Sequence, residues 1–245
     1  MQPGARVAVV TGGSRGIGRA IALRLAGDGC CVVVAYERDL AAAAATVAAI
    51  EAGGGRAIAL QADVADAAAV VALFDDTEAA YGGVDVVAHS AGRLEVAPVA
   101  RLELASFDSL HRTNVRGTMV VNQQAARRLR DGGAIVNLSS SIVDLASPGY
   151  AAYAMSKGAV DALTLILARE LRGRDVTVNA VAPGPVETTL YLRDKTQEQV
   201  DRAADAPPLG RLGTPDDVAE LVSFLAGPAG RWVNGQVIKA NGGLV

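Results

Sequence analysis

The chain has 245 residues, enough for one large α/β domain, and no Pro/Ser-rich linker or charge block divides it, so residues 1–245 are read as a single domain. A net charge of −3 gives no basic footprint for nucleic acid or an anionic membrane, and no apolar run approaches the roughly 18 residues of a membrane span. Cys30 and Cys31 are adjacent, and the two histidines, His89 and His111, are far apart, so neither a disulfide nor a transition-metal site is expected.

The start, "MQPGAR", has no apolar h-region and runs into "VAVV", which together with the cysteine usage points to a reducing cytoplasm. Short Val/Ile-rich runs then alternate with helical patterns. "RVAVVT" precedes "RGIGRAIALRLAGDG", and "CVVVAY" precedes the Ala-rich "DLAAAAATVAAIEAGGG", a helix that Gly53 to Gly55 stop. "AIALQAD" leads into "DAAAVVALFDDTEAAYGG", then "VDVVAHSAG", "AIVNLSS", "VTVNAVAPG" and finally "GQVIKANGG". Continuously apolar strands separated by helices of about ten or more residues predict one doubly wound, Rossmann-type parallel sheet of about seven strands with helices on both faces. Such sheets bind ligands beyond the carboxyl ends of their strands.

"TGGSRGIG", Thr11 to Gly18, lies between the first strand and the first helix, where a phosphate-binding loop belongs. Gly12, Gly16 and Gly18 allow a tight turn and a close approach to a pyrophosphate at the positive end of that helix. Asp63, in "LQADV", could accept from an adenine amino group, or cap the next helix. In "YAMSK", a helix brings Tyr153 and Lys157 onto one face, where the ammonium would favour the phenolate and lower the Tyr153 pKa. Such spacings arise often, and read alone the pair is an interfacial tyrosine and a solvated lysine.

Thr11-Gly12-x-x-x-Gly16-x-Gly18, the "DV" at Asp63, Asn114 in "RTNV", Ser140, Tyr153-x-x-x-Lys157 and "APG" at Pro183-Gly184 occur in that order. Across essentially its whole length the chain thus resembles the short-chain dehydrogenases/reductases. Within the family, "RLRDGGAIVNLSSS" and "GRWVNGQVIKANGG" look most like 3-oxoacyl-carrier-protein reductases and polyhydroxynaphthalene reductases. The resemblance implies that Tyr153 gives a proton to a carbonyl oxygen during reduction and that Lys157 holds the nicotinamide ribose. Ser140, thirteen residues before Tyr153, hydrogen-bonds the substrate oxygen, and Asn114 bends its helix and holds a water that serves Lys157. It also places Ser14, Arg15, Ile17, Tyr36, Arg38, Val64, Ala91 and Gly92 against the cofactor. Pro183, Gly184, Val186 and Thr188 are expected around the nicotinamide.

Residues 186–210 are long and polar enough for a lid, with Leu190 and Tyr191 lining it. His89 and Ser90 stand where the family usually has the two Asn of "NNAG"; Ser90 is expected to replace part of the lost hydrogen bonding, and neither His89 nor His111 is expected to be catalytic. Tyr36 occupies the usual place of an NAD-selecting carboxylate, and Arg15 and Arg38 attract a 2′-phosphate, so NADP(H) is favoured; Glu37 keeps NAD(H) possible. The reaction expected is a carbonyl reduction by NADPH on a small-molecule substrate, 3-oxoacyl or related. The alternatives are an NAD-dependent sugar, polyol or alcohol dehydrogenase and a non-catalytic dinucleotide sensor. The stripe Val218, Leu221, Val222 and Leu225 and a terminal edge strand are expected in one interface of a homotetramer.

Overall fold

Seven strands form one parallel sheet, ordered β3-β2-β1-β4-β5-β6-β7, in the computed structural model, which describes residues 5–193 and 195–245. The strands are β1 (Val7–Thr11), β2 (Cys31–Tyr36), β3 (Arg56–Gln61), β4 (Val84–His89), β5 (Leu129–Leu138), β6 (Thr177–Pro183) and β7 (Val237–Ala240). Alternate residues of each strand feed opposite faces, because side chains in a strand have a period of two. Ala8, Val10, Val32, Val34, Val86 and Val136 pack under α1 (Gly16–Gly27), α2 (Leu40–Ala52) and α10 (Pro215–Ala226). Val9, Val33, Val87, Ile135 and Val178 pack under α3 (Ala67–Tyr81), α5 (Gly117–Arg128) and α7 (Ala151–Glu170). Burial on both faces is why the strands read as unbroken Val/Ala runs.

Asp39 and Asp66 cap α2 and α3 through their side chains, and a reciprocal Thr214–Asp217 box caps α10. α4 (Leu104–His111) runs into a π-turn, Arg112–Arg116, that continues directly into α5. β5 starts at Leu129, earlier than the expected "AIVNLSS", and its pairing with β4 shifts register between Val84 and Val86. The short α6 (Ile142–Leu145) follows β5, and the expected lid, 186–210, contains two short helices of its own, α8 (Thr189–Leu192) and α9 (Gln197–Asp205). Asp194, within that segment, and Met1 to Gly4 of "MQPGAR" lie outside the described residues.

Two expectations change. α7 is long and apolar enough, at a mean hydropathy of 1.2, to meet the length and composition of a membrane span; Val160, Leu167 and Ala168 are nevertheless core residues against the sheet. The α10 stripe is used up within the chain: Val218, Val222 and Leu225 are buried in the core against α1, β5 and β6, with Leu221 packed at its margin. β7 does lie at the sheet edge.

Candidate active site

The turn from β1 into α1 can be built only with glycine at two of its positions. Gly12 has φ of +65°, in the left-handed region, and a Cβ on Gly18 would stand 2.1 Å from the Gly12 carbonyl oxygen. Arg15, at the N-cap of α1, makes no side-chain cap bond, and the first turn has no acidic residue. Its N–H groups are therefore open to an anion at the positive end of the helix. Ser14 offers its carbonyl to Thr46 Oγ1 at 3.3 Å, tying the loop to α2. This glycine-built cradle fits a dinucleotide pyrophosphate.

Charged groups ring the ends of β2 and β3. Tyr36 is buried as the last residue of β2, and beyond it Arg38 Nη2 donates to Glu37 Oε1 at 2.7 Å. Asp63 does not cap α3, a role taken by Asp66. Its Oδ1 accepts from Ala65 N at 2.9 Å and its Oδ2 pairs with Arg112 at 2.8 Å. Against partial burial, which pushes it up, the Arg112 and Ala65 hydrogen bonds hold the Asp63 carboxyl below its ordinary range. Val64 is buried against Gly117.

Ser140 follows the end of β5, and Tyr153 and Lys157 stand one turn apart on α7. Lys157 Nζ donates to the Leu138 carbonyl at 2.6 Å and lies 5.7 Å from the centroid of the Tyr153 ring. The expectation that Lys157 lowers the Tyr153 pKa is not met. Burial pushes the phenol up to about 12, with a Ser140 hydrogen bond pulling back, because removing the phenolate from water outweighs the nearby dipole. Burial also pushes the Lys157 ammonium down to about 8, Asp161 opposing it one turn further along α7. Burial thus favours the protonated phenol at Tyr153, which is half-buried at the cavity wall, and weakens the charge on Lys157.

Asn114 is 1% exposed in the π-turn, which is the helix irregularity expected of it. Its Oδ1 accepts from Arg93 N at 2.8 Å, and its Nδ2 donates to Arg93 O at 2.9 Å and to Ser156 Oγ at 3.0 Å. His89 is the last residue of β4, and both of its ring nitrogens have partners. Nδ1 meets Thr11 Oγ1 at 2.8 Å and Nε2 meets Thr118 Oγ1 at 3.1 Å, whereas Ser90 adds a backbone bond to Thr11 O at 3.3 Å. Burial, helped by the Lys157 charge, pushes the imidazole down to about 3, so the ring is neutral.

One cavity of about 310 Å³ gathers Ile17, Gly92, Ser140, Tyr153, Lys157, Pro183, Gly184, Val186, Thr188, Leu190 and Tyr191. Ser14, Arg15, Tyr36, Arg38, Asp63, Val64 and Ala91 lie outside it, along the β1, β2 and β3 ends and the strand-end turns where an adenosine half would extend. Thr188 caps α8 through its side chain and would touch a Cβ at Gly16 at 3.4 Å, so it joins the cradle to the lid. Asn114 reaches the cavity through Gly92 and Arg93, as a Cβ on Gly92 would stand 3.5 Å from Asn114 Oδ1. Sequence reading missed Tyr150, although it precedes Tyr153 by a helical spacing that puts both on one face. Arg112 and Leu244 carry no local signal, because Asp63 and the cavity meet them only through the fold.

A family profile described as Enoyl-(Acyl carrier protein) reductase matches residues 12–245. A short-chain type dehydrogenase/reductase of Picea abies is 42% identical over 252 positions, spanning 99% of this chain and 93% of its own length. An NADPH-dependent aldehyde reductase-like chloroplastic protein of Arabidopsis thaliana is 42% identical over 254 positions, spanning 98% and 94%. Among solved structures, a short chain dehydrogenase from Burkholderia cenocepacia in complex with NADP matches with a TM-score of 0.92 at 42% identity, over 98% of this chain and 97% of that one. These matches run over nearly the whole chain, and the chain belongs to the short-chain dehydrogenase/reductase family of oxidoreductases.

Proposed function

We propose that the protein is an NADPH-dependent reductase of ketones, 3-oxoacyl or related carbonyl compounds presented as small molecules. The convergence of Ser140, Tyr153 and Lys157 on one cavity beside the glycine cradle carries this reading. The hydride for the carbonyl carbon would come from NADPH bound at the glycine cradle. Tyr153 gives its hydroxyl proton to the carbonyl oxygen, Ser140 donates a hydrogen bond to the same oxygen, and Lys157 holds the ribose hydroxyls. Residues 186–210 serve as the lid and exclude water.

Substrate character follows from the walls. Among the described residues that line the cavity none is a carboxylate, and Leu94, Leu138, Ile142, Leu145, Leu190 and Leu244 give it an apolar surface. Three of the five tyrosines of the chain, Tyr150, Tyr153 and Tyr191, meet there, which favours a flat or extended apolar ketone over a sugar. Presentation on an acidic carrier protein would want free arginines near the opening. Arg128 is instead held by Asp75 and Glu78, and Arg130 by Asp85, at the opposite end of β5 from Ser140. Turnover of a panel of apolar and polyol-like carbonyls, with NADPH and separately NADH, tests the reading; turnover with polyols and NAD alone overturns it.

The NADP choice rests on Arg15 and Arg38, and on NADP-bound and NADPH-dependent relatives. Arg38 is 79% exposed and committed to Glu37, so its contact with a 2′-phosphate is worth less than a buried pair. Arg38→Ala is expected to raise Kd for NADPH by about tenfold and leave NADH unchanged. Glu37→Gln, which frees the guanidinium, should tighten NADPH. A wild type that binds NADH more tightly than NADPH, and loses that on Glu37→Gln, reverses the assignment.

A homotetramer in the cytoplasm completes the proposal. Because the α10 stripe is internal, the interface rests on the β7 edge with exposed Phe224, Val237 and the fully exposed Trp232. Size-exclusion chromatography with light scattering should give a tetramer at micromolar protein, and a monomer there removes it.

A further inference from the structure

We propose that His89 is a positioning residue: a neutral imidazole, protonated on Nε2, that braces the Asn114 turn against the cofactor loop and so fixes the wall of the cavity and the Tyr153 turn. The direction of each hydrogen bond follows from the distances. Thr118 Oγ1 lies 2.6 Å from the Asn114 carbonyl oxygen, so the hydroxyl proton must sit between them. The same hydroxyl can then only accept from His89 at 3.1 Å, which requires a proton on Nε2. Nδ1 is left as an acceptor, and Thr11 Oγ1 donates to it at 2.8 Å. Thr11 Oγ1 in turn accepts the Ala91 N–H at 3.2 Å. The chain begins at a backbone N–H and ends at a backbone carbonyl, so it carries no proton onward and acts as a strut.

What the strut holds is the catalytic end of the molecule. From Asn114 the hydrogen bonds continue through its side chain to both backbone groups of Arg93, which lines the cavity, and to Ser156 Oγ. Ser156 Oγ donates to the Tyr153 carbonyl at 2.7 Å. His89 is 2% exposed, and the buried Lys157 ammonium discourages a second positive charge on the ring. A charged imidazole would donate from both nitrogens, and Thr11 Oγ1, which already accepts from Ala91 N–H, would lose Nδ1 as the acceptor for its own proton.

The kinetic arm of the test rests on the reductase reading; the spectroscopic arm does not. In ¹⁵N NMR of the wild type, His89 is expected as the Nε2–H tautomer with no titration between about pH 5 and pH 9. An Nδ1–H tautomer, or a titration in that range, overturns the proposal whether or not a substrate has been found. His89→Phe, which fills the space without the bonds, should lower kcat by about tenfold while Kd for NADPH moves less than about threefold. His89→Gln, which again has one donor and one acceptor, should recover most of that loss. Thr118→Val should lower kcat when made alone but add little to the loss already seen in His89→Phe, because both break one chain. If His89→Phe does not fold, the tautomer decides; if it folds with wild-type kcat, or loses cofactor affinity in parallel, the positioning role is wrong.

Discussion

Tyr153→Phe will leave NADPH binding within about threefold of the wild type and lower kcat for ketone reduction by roughly 10²-fold or more, the scale of a general acid. The substitution removes one oxygen and keeps the ring, so the cavity stays filled. The hydroxyl is held near 12 by burial, which keeps the proton in place throughout the working pH range. Two consequences separate this from a tyrosine poised near neutrality. Reduction should show no acid or base limb from Tyr153 between about pH 6 and pH 8, and the reverse oxidation, which needs the phenolate, should rise as the pH is raised. Wild-type turnover in the Phe variant, or oxidation that is flat with pH, removes Tyr153 from the role.

Lys157→Met is expected to be the more damaging change. It keeps the length of the side chain, but leaves the Leu138 carbonyl without its 2.6 Å donor and takes away the buried charge. The kcat/KM for reduction should fall by roughly 10³-fold, divided between a higher KM for NADPH and a slower chemical step. The pH dependence has a definite sign. Lys157 is charged below about 8 and neutral above it, so wild-type kcat/KM for NADPH should decline as the pH rises through about 8. The Met variant should lose that decline. A variant in which kcat alone changes, or which keeps the alkaline limb, shows that Lys157 does not hold the ribose.

The parallel sheet and the glycine cradle were legible because each is local: a Val/Ala run followed by glycines at fixed offsets describes β1 and the start of α1 without reference to the rest of the chain. Tyr153 and Lys157 were legible as a pair for the same reason, one turn of helix apart. Their ionisation was not, because spacing reports that two groups are neighbours and says nothing about how much water reaches them. His89 shows the limit differently. Its partners, Thr11 and Thr118, lie on β1 and α5, and they meet it only because β4 is inserted beside β1 while α5 packs over the same strand. A departure from the family pattern at that position was visible; that the new side chain would span the gap by itself was not. The α10 stripe misled for a related reason, since an apolar helix face predicts burial without naming which surface buries it.

The sheet also divides its work between its two ends. Arg128, Arg130 and Arg174 knit the start of β5 to neighbouring carboxylates and carbonyls, while Leu145, Tyr150, Leu190, Tyr191 and Ala203 surround the cavity beyond the opposite ends of the strands. None of the five cavity residues belongs to a strand. For protein engineering this means that a library confined to those five cavity positions can vary substrate preference while the scaffold that orients Ser140, Tyr153 and Lys157 is left unaltered.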